Sequence, residues 1–329
     1  MKKLFRILVV VAVLGAAALA FLAFAPAGPS TQTFVLVKAG SSARSIAAQL
    51  ERAGIVRSEY AFLAVHALQG RRSLKAGEYE FSRPATALEV YDRIARGDVY
   101  KHTVVIPEGY NIFDIAQALE ASGLTTKDAF LEVARAERSL VADLDPQAPS
   151  LEGYLFPDTY HFSRTQSPRD IASAMVKRFR QEALALGLTG DVHHAVTMAS
   201  IVEKETAVAS ERPLVAGVFE NRLRNRIGLA TDPSVIYAAL LAGRYRGTIH
   251  QSDLAFDSPY NTYKYAGLPP GPIANPGRAS LEAAMRPVTT EYLYFVADNK
   301  GGHNFARTIE EHNRNVTNYR RGLPAATQK

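Results

Sequence analysis

The apolar positions of this chain fall into three patterns. The first is a continuous run. From Ile7 to Ala25 the sequence ILVVVAVLGAAALAFLAFA carries no charged residue. A helix needs roughly 20 apolar residues to cross a bilayer. Lys2, Lys3 and Arg6 precede the run, and positive charge stays on the cytoplasmic side. The expected layout is a cytoplasmic stub at 1–6, a transmembrane anchor at 7–25 and a linker at 26–33, with the rest of the chain outside. The alternative is a cleaved signal peptide with Ala23-Phe24-Ala25 as its processing site. Its apolar core would be only about 7–15 residues, and Pro26 should hinder cleavage. Both alternatives export the protein.

The second pattern is a repeat. FVLVKAGSSARSIAAQLERAGIV (Phe34 to Val56) aligns with TVVIPEGYNIFDIAQALEASGL (Thr103 to Leu124) at an offset of 69 residues, which sets Gly109 on Gly40. Ile46 then meets Ile115, Ala47 meets Ala116, Leu50 meets Leu119, Glu51 meets Glu120 and Gly54 meets Gly123. Each copy reads as an alternating strand, a glycine turn and an amphipathic helix. Between the copies, Leu74 to Ser82 alternates as a strand does, and Thr86 to Asp98 reads as a helix with Gly97 just past its end. The pattern resembles LysM modules, which hold N-acetylglucosamine polymers. That resemblance implies a LysM-like domain at 34–101, which either binds glycan or only positions the C-terminal part of the chain; the alternative is two packing units with no site.

The third pattern is helical. Gly190-Asp191 supplies a stop and an N-cap, and VHHAVTMASIVEKET continues with helical period. Residues three, four and seven apart share a face. Counting back from Glu205 gives Val202, Ile201 and Met198, all apolar; counting back from Glu203 gives Ser200, Ala199 and Val196, a more mixed set. Glu205 is therefore expected on the inward stripe, with Glu203 turned about 200° away and, like Lys204, solvated. A carboxyl on an apolar stripe has a raised pKa, which suits a general acid near neutral pH. The competing reading is a structural glutamate, bonded to a loop or paired with Arg212 or Arg222.

Two aromatic, turn-rich segments accompany this helix. SPYNTYKYAGLPPGPIANPGRAS (Ser258 to Ser280) holds Tyr260, Asn261, Tyr263 and Asn275, and EGYLFPDTYHF opens on Glu152. Tyrosine faces stack on sugars, and amides bond hydroxyl and N-acetyl groups. In ATDPSVIYAAL, Asp232 reads as an N-cap with Pro233 in the first turn, and Tyr237 lies further along the helix. EYLYFVADNKGGHNF reads as two strands about a glycine turn, with His303 as a ligand, an acid–base group or a structural residue. The candidate substrate-binding set is Tyr237, Tyr260, Asn261, Tyr263, Asn275, Asp232, Glu152 and His303.

Composition narrows the chemistry. There is no cysteine, so a disulfide scaffold, a thiolate nucleophile and thiolate metal sites are excluded; an oxidising compartment is compatible with this. The formal charge of +6 and pI near 9.4 point to an anionic partner. The basic residues form no dense run, so a membrane surface or an acidic polymer fits better than nucleic acid. His193 and His194 are adjacent and no HExxH occurs, which argues against a zinc protease; no GxSxG supports a serine hydrolase.

MASIVEKETAVASERP, TDPSVIYA, SPYNTYKYAGLPPGPIANPGR, YLYFVAD and GGHNF, in this order and with EGYLFPDTY and the anchor, resemble the YceG-like family of membrane-anchored endolytic murein transglycosylases. The resemblance covers nearly the whole chain and is strongest from Glu152 onward. It implies that Glu205, in EKET, is the catalytic glutamate. It implies cleavage of the β-1,4 bond between N-acetylmuramic acid and N-acetylglucosamine in nascent strands, leaving 1,6-anhydro ends and terminating elongation, without cofactor or metal. Peptidoglycan synthases are candidate partners, the location is the inner (plasma) membrane with the catalytic domain outside, and no added cytoplasmic regulatory domain is implied. The expected fold is α+β, with a catalytic domain at 102–325 in which the Tyr260 to Pro276 loop walls a cleft beside the glutamate helix. Two alternatives stay open: a hydrolase with Asp232 or Asp257 as second carboxylate, and a non-catalytic wall-binding scaffold.

Overall fold

The computed structural model describes residues 2–322 and divides the chain into two units. The first comprises residues up to Thr103 together with His161–Gln166. It contains α1 (Lys2–Phe24), β1 (Thr33–Val37), α2 (Ala43–Arg52), α3 (Glu59–Leu68), β2 (Gly77–Phe81), α4 (Ala87–Arg96) and the start of β3 (His102–Val105). The second carries α5 (Ile112–Ala121), α6 (Lys127–Ala136), most of the chain before β4 (Thr159–Phe162), and everything from Ser167 onward. That portion holds α7 (Pro168–Leu186), α8 (Val192–Glu205), α9 (Arg212–Arg224), α10 (Asp232–Leu241), α11 (Gln251–Leu254), α12 (Arg278–Met285), β5 (Tyr294–Ala297), β6 (His303–Ala306) and α13 (Ile309–Gly322). The fold is α+β, as the element pattern predicts.

Helix α1 is long and apolar enough to cross a membrane, with a mean hydropathy of 2.9 over its apolar window. Its side chains are exposed until its last turn, where Ala23 is buried. Behind it, β1 and β2 pair antiparallel in a register from Thr33–Phe81 to Val37–Gly77. Helices α2 and α3 lie between these strands in the chain, and α4 comes after them. Val35, Ile46, Leu50, Phe62, Tyr79 and Tyr91 form the core. Helix α3 is not foreshadowed by the repeat; Ser58 caps it, accepting from the Tyr60 N–H at 3.2 Å.

The repeat holds residue for residue at the local level. Gly40 and Gly109 turn with φ of +78° and +76°, conformations that favour glycine. Ile46, Ala47 and Leu50 are buried in the first copy, and Ile115, Ala116 and Leu119 in the second. Beyond that the copies diverge. The first strand pairs with β2 within the first unit, whereas β3 pairs with β4, reached only after α5 and α6. Local sequence sets each strand–turn–helix, but the strand partner is a tertiary choice.

In the second unit, α8 is the central helix, packed by α9, α10 and α12. Asp191 caps it as expected, accepting from the His194 N–H at 2.9 Å. Every residue from Ala195 to Val202 is buried. A helix covered on all sides has no solvent face, and this corrects the expectation for Glu203. Ala199 and Ser200 are small, and the Ser200 Oγ accepts the Ile273 N–H at 3.0 Å. The proline-rich segment therefore packs on the face counted as mixed. The Glu203 side chain is only 5% exposed; it takes Arg212 at 3.0 Å and the Gly277 N–H at 3.0 Å. Lys204 is exposed, as expected.

Candidate active site

Glu205 is the last residue of α8, and Thr206 turns extended directly after it. It is half-buried and lines a cavity of about 590 Å³ within the second unit. Facing it are Arg222 from α9, Asp232 from α10, Tyr263 from the tyrosine-rich loop, Tyr294 and Phe295 from β5, and His312 from α13. Burial pushes the Glu205 carboxyl up to about 7; the negative charge of Asp232 pushes the same way, and the Arg222 guanidinium opposes both. The inward stripe that the helical count assigned to Glu205 thus ends at a cavity.

Asp232 differs from its expected role. Thr231 occupies the N-cap position and Asp232 is the first residue of α10, so its carboxylate is free to turn outward, where Oδ1 accepts the Tyr263 hydroxyl at 2.7 Å. The two segments that carry this pair are tied together beneath it. The Thr231 N–H donates to the Thr262 Oγ1 at 3.0 Å, Ser234 Oγ lies 2.8 Å from that same hydroxyl, and the Ala230 N–H donates to the Thr262 carbonyl at 3.2 Å. Buried hydroxyl networks of this kind fix geometry when fully bonded. Burial and the bond to Asp232 hold the Tyr263 phenol well above its ordinary range, so it donates rather than ionises.

The remaining sequence candidates lie elsewhere. Glu152, Tyr237, Tyr260 and Asn275 form a second cluster that is part of the scaffold. Glu152 is fully buried: Oε2 accepts the Ile112 N–H at 2.9 Å, Oε1 accepts from Asn275 at 2.7 Å, and Tyr237 also bonds it. Burial raises its carboxyl to about 8 despite these bonds. Asn275 bonds the Tyr110 carbonyl at 2.9 Å and accepts the Leu155 N–H at 2.8 Å. Tyr237 is buried, 5.1 Å from the half-buried Tyr260 ring. Asn261 is also buried, donating to the Leu254 and Phe256 carbonyls at 3.0 and 2.8 Å and accepting the Tyr263 N–H at 3.0 Å. Both asparagine amides are thus bonded within the protein: the amides expected to bind sugar instead hold the loops in shape. His303 opens β6, where its N–H and Nδ1 meet Glu211 at 3.0 and 2.6 Å; it ties the hairpin to the turn after α8. Asp257 is exposed and bonded to Lys264 and Tyr265 at 3.0 and 2.6 Å, and it does not line the cavity.

The expected wall is corrected too. Residues 271–277 are buried, and of the Tyr260 to Pro276 loop only Tyr263 reaches the cavity. Residues of β5 and α13 supply much of the lining instead, with Val316 and Tyr319 alongside His312. Among the described residues no group of three or more His, Asp or Glu is arranged to hold a metal ion.

The cavity and its carboxyl pair sit on a fold shared with known proteins. The YceG-like family matches residues 35–318, and the chain belongs to that family. An endolytic murein transglycosylase of Bacillus subtilis is 33% identical over 312 residues, covering 88% of this chain and 85% of that protein. One from Streptococcus pneumoniae is 30% identical over 85% of this chain, which spans 57% of that longer protein. A crystal structure of a yceG-like protein from Listeria monocytogenes superposes with a TM-score of 0.56 at 35% identity, covering 87% of this chain and 99% of that one.

Proposed function

We propose that the protein is an endolytic lytic transglycosylase of peptidoglycan, with Glu205 as its single acid and base. The observation that carries this is the Glu205 carboxyl at the cavity, held near neutrality by burial and by Asp232. A protonated Glu205 would give its proton to the glycosidic oxygen between N-acetylmuramic acid and N-acetylglucosamine as the bond to C1 breaks. The resulting carboxylate would then take the proton of the muramic acid C6 hydroxyl as that oxygen bonds C1. A 1,6-anhydro end forms, Glu205 returns to its acid form and no water is consumed. The nucleophile belongs to the substrate, so its positioning carries much of the rate. The Asp232 carboxylate, oriented by Tyr263, would stabilise the positive charge that develops at C1.

The apolar helix α1 supports a single-pass anchor in the plasma membrane with the catalytic part outside, close to newly made strands. The first unit, with its strand, glycine turn and helix, is proposed as the LysM-like domain at 34–101, and the catalytic domain as 102–325. Peptidoglycan synthases remain proposed partners. A hydrolase is the second reading, favoured by one observation: Asp232 lines the same cavity as Glu205. Mass spectrometry of purified glycan strands after digestion separates the two. Anhydro ends from the wild type and none from Glu205→Gln support transglycosylation; reducing ends indicate hydrolysis; equal cutting by both proteins removes Glu205 from the mechanism.

A further inference from the structure

The lining of the Glu205 cavity also carries cationic and aromatic side chains to which the proposed bond cleavage gives no contact with the substrate. There the Arg222 guanidinium lies 5.3 Å from the centre of the Tyr294 ring. Its Nη1 donates to the Leu229 carbonyl at 2.7 Å, but its Nε is buried without a hydrogen-bond partner. Among the described residues no carboxylate forms an ion pair with it. His312 stacks on the same tyrosine, 5.2 Å between centres at 27°, and its Nδ1 is likewise buried and unpartnered. Arg320 adds a second cation to the cavity lining.

Arg222 is half-buried and no carboxylate of the described residues lies within ion-pair distance of it; a partly desolvated cation is costly without a close counter-charge, and a buried donor is normally bonded. Hydroxyl or acetamido groups of a sugar could bond the guanidinium where it lines the cavity but could not balance its charge. A carboxylate does both, because the guanidinium fork matches its two oxygens. We propose that Arg222 and His312, braced on Tyr294, form a subsite for a carboxylate carried by the muramoyl substituent of the glycan strand. The inference rests on the peptidoglycan reading of the cavity. The carboxylate has two sources of the same chemistry: the lactyl group itself in a peptide-stripped strand, or an acid group on the attached stem peptide. With that group anchored, the glycan register beside Glu205 is fixed, and strands without muramoyl acid groups are disfavoured.

The test uses the full chain in detergent, carrying Glu205→Gln so that ligand is not cut. Binding is measured for a short alternating glycan in three forms: peptide-stripped with free lactyl carboxylates, the same strand with those groups converted to neutral methyl amides, and peptide-bearing. At least a tenfold preference for one acid-bearing form over the methyl amide is expected, and Arg222→Gln should abolish it while leaving methyl-amide binding in place. A preference for the stripped strand assigns the lactyl group; a preference only for the peptide-bearing strand assigns the stem. Should Arg222→Gln fail to fold, two variants replace it. Arg222→Lys keeps the charge without the fork, and His312→Phe keeps the stack without Nδ1; each should reduce the preference. Equal affinity for all three strands, or a preference that survives every variant, overturns the subsite while the glycan reading stands. Binding of none of them overturns the peptidoglycan reading and the subsite with it.

Discussion

Replacing Glu205 with glutamine should make the protein more stable, and increasingly so as pH rises. The carboxyl moves from an ordinary 4.5 in the unfolded chain to about 7 in the folded protein. Between those values the folded state holds a proton that the unfolded state has released, so stability falls as pH increases. The loss begins above about 4.5 and is complete a little beyond 7. A tenfold change in proton affinity is worth about 1.4 kcal/mol, so the full effect is about 3 kcal/mol. Glutamine does not titrate, and the difference between variant and wild-type unfolding free energies should grow by about that amount from roughly pH 4.5 to pH 8. Other titrating groups largely cancel in this difference. The chain has 15 tyrosines and no tryptophan, so urea unfolding of the full chain in detergent can be followed by tyrosine fluorescence. A difference that stays flat with pH would mean that Glu205 is solvated and titrates normally. A difference that shrinks with pH would mean that Arg222 outweighs burial and Asp232 together. Either result would refute the electrostatic basis of the proposed acid.

Asp232→Asn should lower the Glu205 pKa by removing the charge that raises it, moving the alkaline fall of kcat/KM to lower pH; an unmoved profile would show that the two groups are not coupled. Arg212→Met should cost about 3–5 kcal/mol of unfolding free energy, because it leaves Glu203 buried with only the Gly277 N–H. The double variant with Glu203→Leu should recover much of that loss, and a single-variant cost under about 1 kcal/mol would return Glu203 to the solvated role the sequence suggests. If a substrate carboxylate neutralises Arg222, the alkaline limb of kcat, which reports the bound enzyme, should lie at higher pH than that of kcat/KM; coincident limbs would count against it.

Features set by neighbours along the chain are legible in the sequence. The glycine turns at Gly40 and Gly109, the cap at Asp191, the hairpin before and after the 301–302 glycines and the stripe ending at Glu205 all arise from local conformation and helical period. The departures share one cause. Whether a helix face is solvated depends on what arrives from elsewhere: Glu203 is buried because residues 273–277 return to cover its face. Asp-Pro opens many helices and so suggests Asp232 as a cap, yet Thr231 takes that position and leaves the aspartate for the cavity. Asn261 and Asn275 carry the right groups for sugars, but their amides are bonded to backbone carbonyls and N–H groups, and Asn275 also to Glu152. The wall formed by β5 and α13 lies about 90–115 residues beyond Glu205, and nothing in the local pattern of Tyr294 or His312 marks it as facing that glutamate.

The position of Glu205 at the end of α8 adds to its electrostatics. Unpaired carbonyls give a helix C-terminus a partial negative charge, so an ionised carboxyl there is disfavoured on top of its burial and the nearby Asp232. All three effects favour the protonated form, and without opposition they would hold Glu205 as an acid that gives up its proton reluctantly. Arg222, which lines the same cavity, opposes them. A group that must first donate and then accept a proton works best with a pKa near the ambient pH. The unpaired arginine therefore has two consequences that no local motif could reveal. In the free protein it holds the Glu205 carboxyl closer to neutral pH, and in the proposed complex a substrate carboxylate would offset it and let the glutamate rise again. An arginine held in an ion pair by a protein carboxylate would have neither effect, which is a physical reason for this half-buried guanidinium to bond a backbone carbonyl and no carboxylate.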